Sequence, residues 1–236
     1  MSTIYLIRHG QASFGAKDYD YLSELGMQQA EILGKSLTDR KQIFDAVYQG
    51  TLRRQKQTRD QVCQCFNKQG LFFPKPVTVD FFDEYDAIAV WQYYIPEITA
   101  DNPVLKQDLK TAGTNKKAFQ KLYSLVIDRW LSDQHNSPKC PVWKDFKDCV
   151  ISGLKSVINN HGSGKNIAVF TSGGTISVIF QHILDLSDKK TMELSWQIMN
   201  GSVSRIKYTK DNISISSFNE TAHLEITGNK KYLTYR

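Results

Sequence analysis

The stretch IYLIRHGQASFG, residues 4–15, runs from an apolar segment directly into Arg8, His9 and Gly10. Its first residues read as a short strand rich in β-formers. A cation, a titratable ring and a glycine then follow at the strand's carboxyl end. A second stretch, NIAVFTSGGTIS at residues 166–177, has nearly the same shape. It too is an apolar strand broken by small polar residues, but it carries Ser172 and two glycines and no histidine. The first question is whether these two edges build one site.

Working outward, TIYLI (3–7) reads as a strand and SELGMQQAEILGKSLTDR (23–40) as a helix. Ser23 is the candidate N-cap, with Ile32, Leu33 and Leu37 on the apolar face. FDAVYQG (44–50) is a second strand, a polar helix follows from Arg53 to Asn67, and PVTVDFF (76–82) is a third strand. Residues 85–114 mix Tyr, Trp, Pro, Asp and Asn without a sustained period. Helical spacing returns at 115–133 and 142–161, separated by the loop DQHNSPKCP. NIAVFTS is a buried strand, GGTISVIFQHILDL a helix, and strand-like segments joined by the hairpin signal KDN end the chain. Strands alternating with helices predict an α/β fold, three layers around a mostly parallel central sheet. Ligands in such folds sit beyond the carboxyl ends of the strands, where both quoted stretches break. The expected organisation is one domain over 1–236, with an insertion at 85–141 that helps cover the site.

The 236 residues suffice for one sizeable core, and 41% hydrophobic and 23% charged residues are ordinary for a globular chain. A formal charge of +6 suits an anionic partner such as a phosphate ester. The lysines are scattered, and neither zinc-finger spacing nor an aromatic RNA-binding signature is present, which argues against a nucleic-acid binder. No apolar run is long enough to span a bilayer, and the N-terminus lacks the pattern of an export signal. A cytoplasmic location and free thiols at Cys63, Cys65, Cys140 and Cys149 are the resulting expectations. The C-terminal strands are able to pair with a second copy, although nothing in the sequence demands a homodimer.

An exposed histidine beside a fixed cation can attack phosphorus when its imidazole is neutral. Arg8 offers planar donors that fit phosphoryl oxygens, and Gly10 lets the backbone approach an anion without a Cβ in the way. GTLRRQKQTRD adds Arg53 and Arg54 at a helix start, and DFFDEYDA adds Asp83, Glu84 and Asp86 after the third strand. TSGGTIS adds backbone N–H groups at a helix N-terminus, where anions are favoured. These are the parts a phosphoryl-transfer site needs.

LIRHG, LSELGMQQAEILGKSL, GTLRRQKQT, FFDEYDA and IAVFTSGGTIS together resemble the histidine phosphatase superfamily, also called the phosphoglycerate mutase-like family. The resemblance covers nearly the whole chain. It implies that His9 forms a phosphohistidine, that Arg8 and Arg54 hold the phosphoryl oxygens, and that Glu84 protonates the leaving alkoxide and then activates water. Gly10, Ser172 and Gly173 complete the phosphate-binding set. Arg53 and Lys56 read as surface charges, and Asp83 and Asp86 stay open as alternative acids. No metal and no cofactor is implied, because the arginines neutralise charge.

Two departures from the family pattern matter. The family's second histidine falls on Ser172, which can donate a hydrogen bond but supplies no cation; Gly173, Gly174 and Thr175 compensate in part. Ser172 as a plain helix N-cap is the alternative. His161 precedes its strand and His182 is expected to pack inside its helix, so neither replaces the missing residue. Mutases of the family carry asparagine where Gly15 stands. The expected activity is therefore that of a metal-independent phosphomonoesterase acting on a small phosphorylated metabolite or a phosphoprotein. A mutase-type phosphotransferase and a catalytically weakened phosphate-ester-binding protein are the alternatives.

Overall fold

The computed structural model describes residues 1–13, 20–133 and 137–235. Gly15 and the centre of the 133–141 loop lie outside the described residues. Two compact units make up the chain.

The larger unit is Met1–Glu84 with Val150–Arg236. It opens with β1 (Ser2–Arg8), α1 (Glu24–Asp39), β2 (Ala46–Gln49), α2 (Arg53–Lys68) and β3 (Pro76–Thr78). The expected strand at 76–82 is cut short: it ends at Thr78, and Asp80–Phe82 form a single 3-10 turn. The smaller unit, Tyr85–Cys149, contains α3 (Ala87–Thr99), α4 (Pro103–Thr111) and α5 (Lys116–Ser132). The boundary falls inside α6 (Trp143–Asn160). β4 (Asn166–Thr171), α7 (Gly173–Leu184), α8 (Asp188–Ser195), β5 (Val203–Tyr208), β6 (Ile213–Glu220) and the single turn α9 (Ala222–Glu225) complete the larger unit. The β5–β6 hairpin turns at KDN, as the sequence predicts.

Two helices stand where residues 85–114 lack a period. Their caps are locally encoded: Asp86 accepts from the N–H groups of Ile88 and Ala89, and Asn102 accepts from Leu105 ahead of Pro103 at the first helical position. The period is blurred because α3 is apolar on several sides. Trp91 stacks with Phe119 and Tyr123 of α5, while Tyr94 and Val90 are buried.

The sheet order is β3-β2-β4-β1-β5-β6, parallel through the first four strands and antiparallel at β5 and β6. β4 returns between β2 and β1, pairing Arg8 with Thr171. This register puts the residues following both strands, His9 and Ser172, side by side at the carboxyl edge. Ile7, Val47, Ala168 and Phe170 on one face pack with Leu33 and Leu37 of α1, Val62 and Phe66 of α2, and Phe44. Ile4 and Leu6 point to the other face and are equally buried. Burying each such side chain contributes roughly 1.5–3 kcal/mol, which holds the strand ends in place beneath the polar edge.

Candidate active site

His9 leaves β1 with its backbone N–H bonded to Thr171 O at 3.0 Å, and the residue is 4% exposed. Nδ1 lies 2.7 Å from Gly10 O, and Nε2 lies 3.2 Å from Arg54 Nε. A carbonyl only accepts and a guanidinium only donates. The proton therefore sits on Nδ1, and Nε2 presents its lone pair. Burial first, then the Arg54 and Arg8 charges, hold the imidazole well below the usual histidine range, with the Gly10 bond opposing. The neutral nucleophile expected from sequence is thus set by its surroundings and not by the intrinsic titration of histidine.

Arg54 stands in the first turn of α2, is buried, and donates from Nη1 to Asp20 Oδ1 at 2.7 Å. Asp20 Oδ2 also accepts from Arg53 N at 2.9 Å, so one carboxylate ties the helix start and the guanidinium together. Arg53 turns outward and lies over the Tyr21 ring. Arg8 donates from Nη1 to Ile198 O. Its Nε lies 3.6 Å from where a Cβ would stand on Gly173, so Arg8 and the start of α7 converge.

The three carboxylates after β3 are sorted by their partners. Asp83 accepts at both oxygens from Thr51, one bond from the backbone N–H and one from the hydroxyl, and burial pushes its carboxyl up against those bonds. Asp86 caps α3. Glu84 alone of the three reaches α7, where Oε2 accepts from Gly174 N at 2.9 Å. The TSGGT turn also fastens this segment: Thr171 Oγ1 donates to Phe82 O at 2.6 Å and Thr175 Oγ1 to Asp83 O at 2.5 Å.

Ser172 occupies the N-cap position of α7, but its side chain makes no cap bond. Its Oγ accepts from Gln55 Nε2 at 2.8 Å, and the same Nε2 reaches Phe82 O at 2.9 Å. Gly10 has a steric role beside any ligand contact. A Cβ there would lie 2.3 Å from Gly26 O in α1, so its bareness admits the helix. His161 bonds Tyr48 OH at 2.9 Å away from this edge. His182 is exposed, not packed as expected, because it falls in the last turn of α7 on the solvent side.

Four buried polar residues escaped the sequence reading. Gln55 orients Ser172, Thr58 Oγ1 accepts from Gly10 N at 3.0 Å, Gln29 accepts from Gln11 N, and Asn200 reaches His9 O. Thr58 lies one helical turn after Arg54, a spacing that carries the signal. The others act across the fold, which no local pattern encodes. Among the described residues, no group of three or more His, Cys, Asp or Glu side chains is placed to hold a metal ion, and no helix is long and apolar enough to cross a membrane. The four cysteines form no disulfide.

The carboxyl edge of the sheet thus gathers a neutral imidazole, the Arg8 and Arg54 guanidiniums and the N-terminus of α7. The profile of the histidine phosphatase superfamily (branch 1) matches residues 4–87 and 110–221, and the chain belongs to this family. Similar solved structures include a phosphoglycerate mutase from Bacillus anthracis, with 16% identity, 97% of each chain covered and a TM-score of 0.65. A phosphoserine phosphatase from Entamoeba histolytica, in complex with 3-phosphoglyceric acid, is 16% identical over 95% of this chain and 100% of that one, with a TM-score of 0.62. A mycobacterial glucosyl-3-phosphoglycerate phosphatase is 16% identical over 93% and 99%, with a TM-score of 0.60. At this identity the likeness shows the fold. No match was found among curated proteins.

Proposed function

We infer that the chain is a cytoplasmic, metal-independent phosphomonoesterase that works through a phosphohistidine on His9. One observation carries the reading: the proton is fixed on Nδ1 by Gly10 O, so the Nε2 lone pair faces Arg54. On substrate binding, Arg54 hands its donor from Nε2 to a phosphoryl oxygen, and Arg8, Gly173 N–H and Ser172 complete the cradle. Ser172 fits this role because its oxygen already accepts from Gln55, which leaves its own proton to donate. Nε2 then forms the bond to phosphorus while the ester oxygen leaves and takes a proton from Glu84. Water, deprotonated by Glu84, next cleaves the phosphoramidate and restores neutral His9. The substrate is a small phosphorylated metabolite or a phosphoprotein.

The test is hydrolysis of p-nitrophenyl phosphate by purified protein, with His9→Ala as control and acid quenching after mixing. Turnover that disappears in His9→Ala, with an acid-labile phosphoenzyme in the parent, supports the reading; full activity in His9→Ala overturns it.

The position of Ser172 favours a second reading, in which the protein binds phosphate esters with little turnover. A hydroxyl held by a neutral amide cannot replace a cation, and losing even one preorganised donor from such a site costs about 10²–10³ in rate. Vanadate that raises the melting temperature without any measurable hydrolysis selects this reading.

A further inference from the structure

The imidazole of His9 is oriented by a backbone carbonyl, and what orients that carbonyl lies far away in sequence. Gly10 O, which accepts from Nδ1, belongs to the Gly10–Gln11 peptide unit. The N–H of the same unit donates to Gln29 Oε1 at 2.8 Å. A peptide unit is planar and rigid, so holding its N–H fixes the direction of its carbonyl. Gln29 is fully buried in α1. Its Nε2 donates to Tyr232 O at 2.8 Å and to Thr234 Oγ1 at 2.9 Å. The Gln11 N–H can only donate and the Tyr232 carbonyl can only accept, so one orientation of the amide satisfies both.

The same C-terminal segment reaches the other side of the nucleophile. Thr234 Oγ1 donates to Asn200 Oδ1 at 3.0 Å, and Asn200 N donates to Thr234 O at 2.8 Å. Gly201 N at 3.1 Å and Asn200 Nδ2 at 3.4 Å then donate to His9 O. The three-residue turn His9–Gly10–Gln11 is thereby held at both ends by one connected set of hydrogen bonds.

We propose that Gln29, seated by Tyr232 and Thr234, is a positioning residue that fixes the tautomer and direction of His9 through the Gly10–Gln11 peptide. The proposal rests on the reading of His9 as nucleophile. Hydrogen bonds in series polarise one another. Drawing on Gln11 N–H makes Gly10 O a stronger acceptor for Nδ1–H, which leaves Nε2 richer in electron density. Gln29 touches neither substrate nor phosphorus, and its effect runs through the peptide.

The test uses the full chain carrying Gln29→Leu or Thr234→Val. Nitrogen-15 NMR of the His9 ring reports the tautomer, and p-nitrophenyl phosphate hydrolysis gives kcat and KM separately. Gln29→Leu is expected to populate the Nε2–H tautomer and to lower kcat about tenfold or more with KM changed less than about threefold. Thr234→Val leaves Tyr232 O as a partner and is expected to give an intermediate loss. It decides the matter if Gln29→Leu does not fold. A single Nδ1–H tautomer and unchanged kcat in a folded variant overturn the proposal, as does a lowered melting temperature with no change in tautomer or kcat. If His9→Ala retains turnover, the phosphohistidine reading fails, while the NMR tautomer still decides whether Gln29 orients the ring.

Discussion

Arg54 Nε donates to His9 Nε2 across 3.2 Å, so the nitrogen proposed to attack phosphorus already carries a bond from the group proposed to bind phosphate. Arg54 also contributes to keeping the ring neutral, after burial. Titration of His9 followed by NMR is expected to leave the imidazole neutral well below pH 6.5. Arg54→Gln removes one cause of the depression and raises the midpoint. The midpoint still stays below 6.5, because burial persists. A midpoint in Arg54→Gln equal to the parent's contradicts the assigned contact.

Asp20 competes with any anion for Arg54 through its 2.7 Å ion pair. Asp20→Asn removes the competing charge while keeping an acceptor for Arg53 N–H. Inorganic phosphate, read as a competitive inhibitor, is expected to bind about fivefold more tightly, as partly exposed pairs of this kind are worth up to about 1 kcal/mol.

The three neighbouring carboxylates separate by substitution. Glu84→Gln is expected to slow hydrolysis of alkyl phosphates about a hundredfold or more. p-Nitrophenyl phosphate, whose leaving group needs little protonation, falls much less. Asp83→Asn leaves a Thr51 donor without its acceptor and lowers stability by about 1–2 kcal/mol in urea denaturation. Asp86→Asn exchanges one good N-cap for another and stays within about 0.5 kcal/mol of the parent.

Gly26 packs against the His9–Gln11 turn as closely as Gly10 does against α1. A Cβ on Gly26 would stand 2.1 Å from Gln11 O, a contact that only a shift of backbone can relieve. Gly26→Ala is expected to cost about 3 kcal/mol or more and to reduce turnover by displacing Gln11. Gly162→Ala, with nothing within 4 Å of its Cβ, is the control and leaves the melting temperature within about a degree or two of the parent's.

His223 is buried with Nε2 bonded to Gly201 O at 3.0 Å, and burial lowers its pKa from 6.5 to about 4. The unfolded imidazole binds its proton near 6.5 and the folded one near 4. Its contribution is intact above 6.5 and is lost as pH falls between these values, on the order of 3 kcal/mol in total. His9, also depressed, adds to the loss in the same direction. Urea midpoints measured from pH 7 to pH 4 are expected to fall steeply, and His223→Gln to flatten part of that fall.

Three local signals behind the candidate site were readable in the chain. IYLI ahead of Arg-His-Gly, SELG with its Ser23 cap, and IAVFT ahead of Ser-Gly-Gly each state their structure within a few residues. The 3-10 turn at Asp80–Phe82 was not readable, because its three residues are as compatible with a strand end. Helices α3 and α4 were not read from the sequence, since aromatic packing in the smaller unit consumes several faces at once and blurs their period.

The sequence by itself determined which side chains reach the carboxyl edge of the sheet, because strand ends and helix starts are set by neighbours along the chain. Only the tertiary structure decided what each one does there. Glu84 meets Gly174, Gln55 meets Ser172, and Gln29 meets both Gln11 and Thr234. These pairs are separated by as many as 205 residues, and hydrogen bonds select partners within about 3 Å. No pattern in the chain carries that precision; the packing of α1, α2 and α7 against the sheet supplies it.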